Sequence, residues 1–302
     1  MEPVAPLRAT IRRMRQAIID LVLKRQRTGS VLCTSCGVLV GVNDATCYNC
    51  GRRNPGLWGW APAVRSLGSD LGFTPFIIGA CCAIYVLSWA LSGAPFGGML
   101  APSSLVLNYL GMSGAIPVYV QGQWLTLLTA GWLHGSLLHV GFNMFGVYQL
   151  LPSVAELYGP GRTVIIYTIA GVAGFFLSST IKWLAPGLPF LGAYYTVGAS
   201  ASIFGLIGAA AYYGARSGSR LASSQAWSYG ISMGVYSFIL GGGMVDNAAH
   251  IGGFAGGYLA GRLLDPLKGE RVDHLVIAAI CLLASVGAIV PRIIAAMIAV
   301  MS

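Results

Sequence analysis

The stretch Gly198-Ala199-Ser200-Ala201-Ser202-Ile203-Phe204-Gly205 decides how the rest of the chain is read. A hydroxyl group opens an apolar run long enough to cross a bilayer. A second such run opens on Ala248-Ala249-His250-Ile251-Gly252-Gly253. Groups that exchange protons are costly in hydrocarbon, so their presence there marks a functional site by default. A serine hydroxyl needs a base to take its proton, and histidine is the commonest one. Ser200 and His250 together point to hydrolysis within a membrane.

Composition sets the solvent. The 302 residues are 56% hydrophobic and 9% charged, with a mean hydropathy of +0.72. An ordinary soluble domain carries roughly 25% charged residues, so that class is excluded. The 42 glycines suit close-packed membrane helices. Reading apolar runs of about 17–25 residues as spans predicts seven: Gly72–Leu91, Ser136–Val154, Thr163–Trp183, Gly198–Ala215, Gln225–Gly241, Asn247–Leu264 and Leu275–Met297. The early run Ala17–Leu23 is short and broken by Asp20, so no cleavable signal peptide is expected.

Charge gives the spans a direction. Ten of the 18 Lys and Arg precede residue 70: Arg8, Arg12, Arg13, Arg15, Lys24, Arg25, Arg27, Arg52, Arg53 and Arg65. Basic segments stay on the cytoplasmic side, which accounts for this bias more simply than nucleic-acid binding. With the N-terminus inside, the inner loops also receive Arg162, Arg216, Arg220, Arg262, Lys268 and Arg271, and the outside only Lys182 and Arg292. The expectation is a multi-pass protein of the plasma (inner) membrane, with the C-terminus outside. Spans two, four and six then run inward, and His139, Asn143, Ser200 and His250 all lie early in them. At 1.5 Å per residue they fall in one layer, roughly 5–12 Å below the outer entrance. The segment from Ser92 to Gly135 holds Leu105, Leu107, Tyr109, Leu110, Trp124 and Leu127, and is expected in the membrane interface.

The residues of that layer suggest a chemistry. His250 takes the Ser200 proton and returns it to the leaving amine. No acid lies early in the other spans, and Asp246 sits at the loop, so a dyad is the economical reading. Asn143 and His139, at i and i+4 on one helix face, offer N–H donors to an oxyanion, with the Ser200 backbone N–H as a third. Phe204, one turn beyond Ser200, is placed to pack on the His250 ring. Gly198, Gly205 and Gly208, with Gly252, Gly253, Gly256, Gly257 and Gly261, allow spans four and six to approach closely.

Before the spans stand Cys33-x2-Cys36 and Cys47-x2-Cys50, ten residues apart, each pair followed by a glycine (Gly37, Gly51). Two such knuckles suit one tetrahedral zinc ion with a structural role, and a cytoplasmic position argues against disulfides. Cys81, Cys82 and Cys281 read as small apolar packers. No cofactor is expected for catalysis.

These residues resemble the rhomboid family of intramembrane serine proteases. The Ser200 stretch is similar to its nucleophile motif, Ala248–Gly253 to its histidine motif, and His139-Val140-Gly141-Phe142-Asn143 to its H-x-x-x-N element. The resemblance covers about residues 72–264. It implies an all-α polytopic membrane protein with a six-helix core, Ser200 as nucleophile, His250 as general base, and Asn143 and His139 on the oxyanion side. It also implies transmembrane protein substrates cut near the outer face. The expected order is a basic segment at 1–30, a zinc-ribbon-like four-cysteine module at 31–56 with an unidentified cytoplasmic partner, a linker at 57–71, the core at 72–264, and a seventh transmembrane helix within 265–302. Two positions depart from the family pattern: Ala201 stands where many members have Gly, and Trp124-Leu125 where many have Trp-Arg. They leave a non-catalytic, client-binding rhomboid-like protein as the alternative.

Overall fold

The computed structural model describes residues 25–93, 100–241 and 245–301. The basic segment up to residue 24, with its apolar run, lies outside them. The chain divides between Leu71 and Gly72 into two compact units.

The small unit is built around an antiparallel hairpin, β1 (Ser30–Leu32) and β2 (Leu39–Gly41), paired in the register Val31↔Val40. Alternation along the strands turns Val31 and Val40 inward, where they join Val42, Ala61, Cys33 and Cys47 in a small core. Each cysteine knuckle closes as a turn: Gly37 N–H donates to Cys33 O at 3.0 Å and Gly51 N–H to Cys47 O at 2.9 Å.

Among its described residues the large unit contains seven long helices, labelled in chain order: α1 (Phe73–Leu91), α2 (Leu137–Tyr158), α3 (Pro160–Leu184), α4 (Ser200–Ser217), α5 (Arg220–Gly241), α6 (Asn247–Leu263) and α7 (Val272–Met301). They lie over the seven apolar runs, with several ends extended. Among the described residues three are long and apolar enough to cross a membrane by length and composition alone: α1, α3 and α7. The reason shows in the packing. α4 is wrapped by α2, α3, α5 and α6, so little of it has to face lipid and glycine, serine and alanine suffice along it. The segment between α1 and α2 is not a free loop. It forms short helices at Ser104–Leu110 and Thr126–Thr129, and buries Val106, Leu107, Leu110 and Val118.

Backbone-to-backbone contact joins α4 to α6. A Cβ added at Gly253 would strike the Ala201 carbonyl, and one at Gly257 the Gly205 carbonyl. Gly261 lies against Ala209 in the same register. The positions advance together, so α4 and α6 run parallel. α2 is parallel to them: its His139 lies by Gly198, and its Gly146 by Ile203. α3 closes the third side. A Cβ at Gly174 would stand 2.7 Å from the Ala201 methyl and 2.5 Å from the Ala249 carbonyl.

Two packing outcomes follow. Gly257→Val lowers the melting temperature in detergent, since overpacking of this kind costs about 1–3 kcal/mol; an unchanged melting temperature would contradict the contact. Gly174→Ala is also destabilising, and Ala201→Gly introduced with it recovers part of the loss because the two methyls would compete for one space. Strict additivity of the two changes would show that they do not meet.

Candidate active site

Ser200 is the first residue of α4. Gly198 precedes it with φ +126°, a conformation that side chains avoid. The glycine has a second reason to lack a side chain: a Cβ there would lie 2.6 Å from His139 Nε2 and 3.7 Å from Ser200 Oγ. The Gly198 N–H donates to Ala130 O at 3.0 Å, which ties the turn to the segment ahead of α2.

His250 is buried on the first turn of α6, with Nε2 3.0 Å from Ser200 Oγ. Its ring stacks on Phe204, with centroids 4.2 Å apart and planes at 16°. The other ring nitrogen, Nδ1, has no hydrogen-bond partner among the described residues. Asp246 caps α6, accepting from Ala249 N–H at 3.0 Å, and its second oxygen accepts from Ser178 Oγ at 2.5 Å. That carboxylate is engaged by α3 and by its own helix.

His139 follows the cap of α2, where Ser136 Oγ accepts its backbone N–H at 3.2 Å. Its Nδ1 accepts the Gly135 N–H at 3.3 Å. A neutral ring with an accepting Nδ1 carries its proton on Nε2, the nitrogen beside Gly198. Asn143 is buried one turn on. It donates one amide hydrogen to His139 O at 2.8 Å, and its Oδ1 has no partner among the described residues. The contact of Gly146 with Ile203 one turn further along sets Asn143 level with Ser200.

Two neighbours of these residues carry no clear signal in the sequence. His134 is fully buried, packs edge-on against His139 at 5.1 Å, and lies with Nε2 3.5 Å from the Ala199 N–H. Its only signal in the sequence is a third histidine five residues before His139. Ser178, which links Asp246 to Ala193 N–H at 3.2 Å, sits among ordinary helix serines. As for the two departures, the Ala201 methyl faces Gly174 of α3, on the side of α4 packed against α3 and α6. Leu125 is 59% exposed.

In the small unit the sulfurs of Cys33, Cys36, Cys47 and Cys50 all lie within 4.8 Å of one another. Cys33–Cys50 is 3.8 Å and Cys36–Cys47 is 3.6 Å. A Zn–S bond of about 2.3 Å gives tetrahedral sulfurs about 3.8 Å apart, so the cluster fits a zinc site. The Val38 backbone N–H, then the Asn49 side chain, pull the Cys36 thiol down to about 6, while at Cys50 the lowering pull of the Arg52 backbone is outweighed by burial and the neighbouring thiols, which push that thiol up to about 11.

Residues 121–266 match the rhomboid domain family. Relatives include the rhomboid protease GluP of Bacillus subtilis (strain 168), 30% identical over 54% of this chain and 31% of its own length. RHOMBOID-like protein 7 of Arabidopsis thaliana is 30% identical over 61% and 56%. Rhomboid-like protease 1 of Toxoplasma gondii is 29% identical over 57% and 57%. The chain thus spans from about a third to just over half the length of these relatives. Over residues 121–266 the chain is thus similar to the rhomboid domain, and among the described residues three helices are long and apolar enough to cross a membrane.

Proposed function

We propose that the chain is an intramembrane serine endopeptidase that cuts transmembrane proteins with a Ser200–His250 dyad. The observation that carries this reading is the 3.0 Å contact between His250 Nε2 and Ser200 Oγ, which is within reach for proton transfer. It is made between two buried helices held in register by glycine.

Ser200 Oγ attacks the scissile carbonyl as its proton passes to His250 Nε2. The imidazolium so formed lies on the Phe204 face, whose negative quadrupole favours a cation. The oxyanion meets the Ser200 backbone N–H, which has no acceptor within its own helix, the His139 Nε2–H, and the second Asn143 amide hydrogen. His250 then protonates the leaving amine, which departs and leaves an acyl-serine. Water, deprotonated by His250, attacks that ester and releases the second product and the serine. No metal or cofactor takes part. The substrate is a transmembrane helix whose peptide bond leaves helical form at the Ser200 end of the bundle. Charge partition puts that end at the outer face, with the N-terminus in the cytoplasm, the C-terminus outside and seven spans between. The non-catalytic alternative loses one of its motives, because the Ala201 methyl faces α3.

One structural zinc ion is held by Cys33, Cys36, Cys47 and Cys50. With so small a core in this unit, the metal contributes much of its folding free energy.

Purified full-length protein in detergent, given a transmembrane substrate, cleaves it. Ser200→Ala and His250→Ala each abolish cleavage, and the double variant is no worse, as expected of groups acting as a unit. Asn143→Ala lowers kcat by about 10²–10³. Cleavage that survives Ser200→Ala sinks the mechanism. Metal analysis of the reduced protein returns one zinc per chain, and Cys33→Ser with Cys47→Ser removes it; a metal-free wild-type chain would refute the assignment.

A further inference from the structure

Between Leu275 and Met301 the one charged residue is Arg292. A cation on so apolar a helix is costly unless something engages it. Arg292 follows Pro291 inside α7, and its side chain reaches the segment that connects α1 to α2. Nη2 donates to Gln123 Oε1 at 3.2 Å. The stem lies across Gly111, where an added Cβ would stand 2.7 Å from Arg292 Cδ and 2.9 Å from Nε. Thr129 Oγ1 donates to Gly111 O at 2.6 Å beside it.

From Gln123 a run of short contacts leads to the nucleophile. Gln123 N–H donates to Pro117 O at 2.8 Å, and its own carbonyl accepts from Thr126 N–H at 3.0 Å and Thr126 Oγ1 at 2.7 Å. Thr126 Oγ1 is 3.4 Å from Ser113 Oγ. Ser113 exchanges two backbone bonds with Thr196, at 3.0 and 2.7 Å, and Ala115 N–H donates to Ala193 O at 3.0 Å. Thr196 is two residues from Gly198, which is itself tied to Ala130. The segment from Gly111 to Ala130 therefore forms one wall of the turn that delivers Ser200.

Lys182 acts on the same region. Its Nζ lies 3.4 Å from Leu188 O and 4.9 Å from the Tyr194 ring centre. Lys182 and Arg292 are the two cations that charge partition leaves outside, and both grip connecting segments at the Ser200 end of the bundle.

We infer that Arg292 is a positioning residue. Through Gln123 it holds residues 111–130, and these hold residues 193–198 in the conformation that presents Ser200. α7 thereby serves as a brace for the reactive turn. The kinetic consequence rests on the proteolytic reading of Ser200; the structural consequence does not.

The test uses the full chain in detergent and has two arms. In hydrogen–deuterium exchange, Arg292→Ala and Gln123→Ala each raise amide exchange in residues 111–130 and also in 193–199, while the α4–α6 contact stays protected. An increase confined to α7, or none, overturns the brace. In the cleavage assay each variant lowers kcat by about 3–10-fold with KM little changed, and the double variant is no slower than either alone, as for two members of one interaction. The exchanged pair Gln123→Arg with Arg292→Gln recovers most of the rate. Losses that multiply in the double variant, or fall on KM alone, overturn the coupling. Should the wild-type chain not cleave at all, the proteolytic reading fails, and the exchange arm alone decides the brace.

Discussion

The close approach of α4 to α6 is the constraint on which the rest of the structure depends. A serine–histidine hydrogen bond between two helices requires their axes to come nearer than ordinary side chains permit. Here Gly253, Gly257 and Gly261 of α6 lie directly against Ala201, Gly205 and Ala209 of α4. Lipid tails are as apolar as leucine, so no hydrophobic force drives such a contact within a bilayer; dense packing of small residues does. Once the register is set, the first turns of the two helices coincide, and His250 Nε2 falls 3.0 Å from Ser200 Oγ. α3 completes the arrangement, with Gly174 leaving room for the Ala201 methyl.

Around this contact the connecting segments do the positioning. The Asp246 carboxylate joins the start of α6 to Ser178 of α3. Ser178 accepts from Ala193 in the turn ahead of Ser200. That turn pairs with Ser113 and Ala115, and the Gly111–Ala130 segment is in turn gripped by α7. At the opposite end of the bundle, buried Arg162 donates to the carbonyls of Leu264, Asp265 and Lys268, and Glu270 accepts the Arg162 backbone N–H. The loop ahead of α7 is therefore fastened to α3, and Arg292 ties α7 itself to the segment ahead of α2.

Much of the helix layout was legible because hydrocarbon imposes a length and a composition. Apolar runs located the seven long helices, and the motifs around Ser200, His250 and His139 drew attention to the residues that the fold brings together. Span ends were less legible. α2 continues through Pro152 to Tyr158 and α5 begins at Arg220, because these turns are held by neighbours rather than by their own hydropathy. The segment before α2 read as an interfacial loop, yet it is a folded wall with its own short helices. Its hydrogen bonds run to residues some eighty positions away, and no local pattern records them.

By itself, the sequence determined that the chain is too apolar for an ordinary soluble domain, that Ser200, His250, His139 and Asn143 stand early in alternate apolar runs, and that four cysteines stand at metal-binding spacing. Each of these is written in residue type and interval, which neighbours along the chain do not alter. Tertiary structure alone decided which nitrogen of His139 carries its proton, because that depends on the Gly135 N–H. It alone turned the Ala201 methyl toward Gly174 of α3. It also brought in His134, Ser178 and Arg292, whose roles come from partners supplied by distant segments. Those partners meet only when helices of fixed length pack at fixed spacing, and that spacing is a property of the assembled bundle.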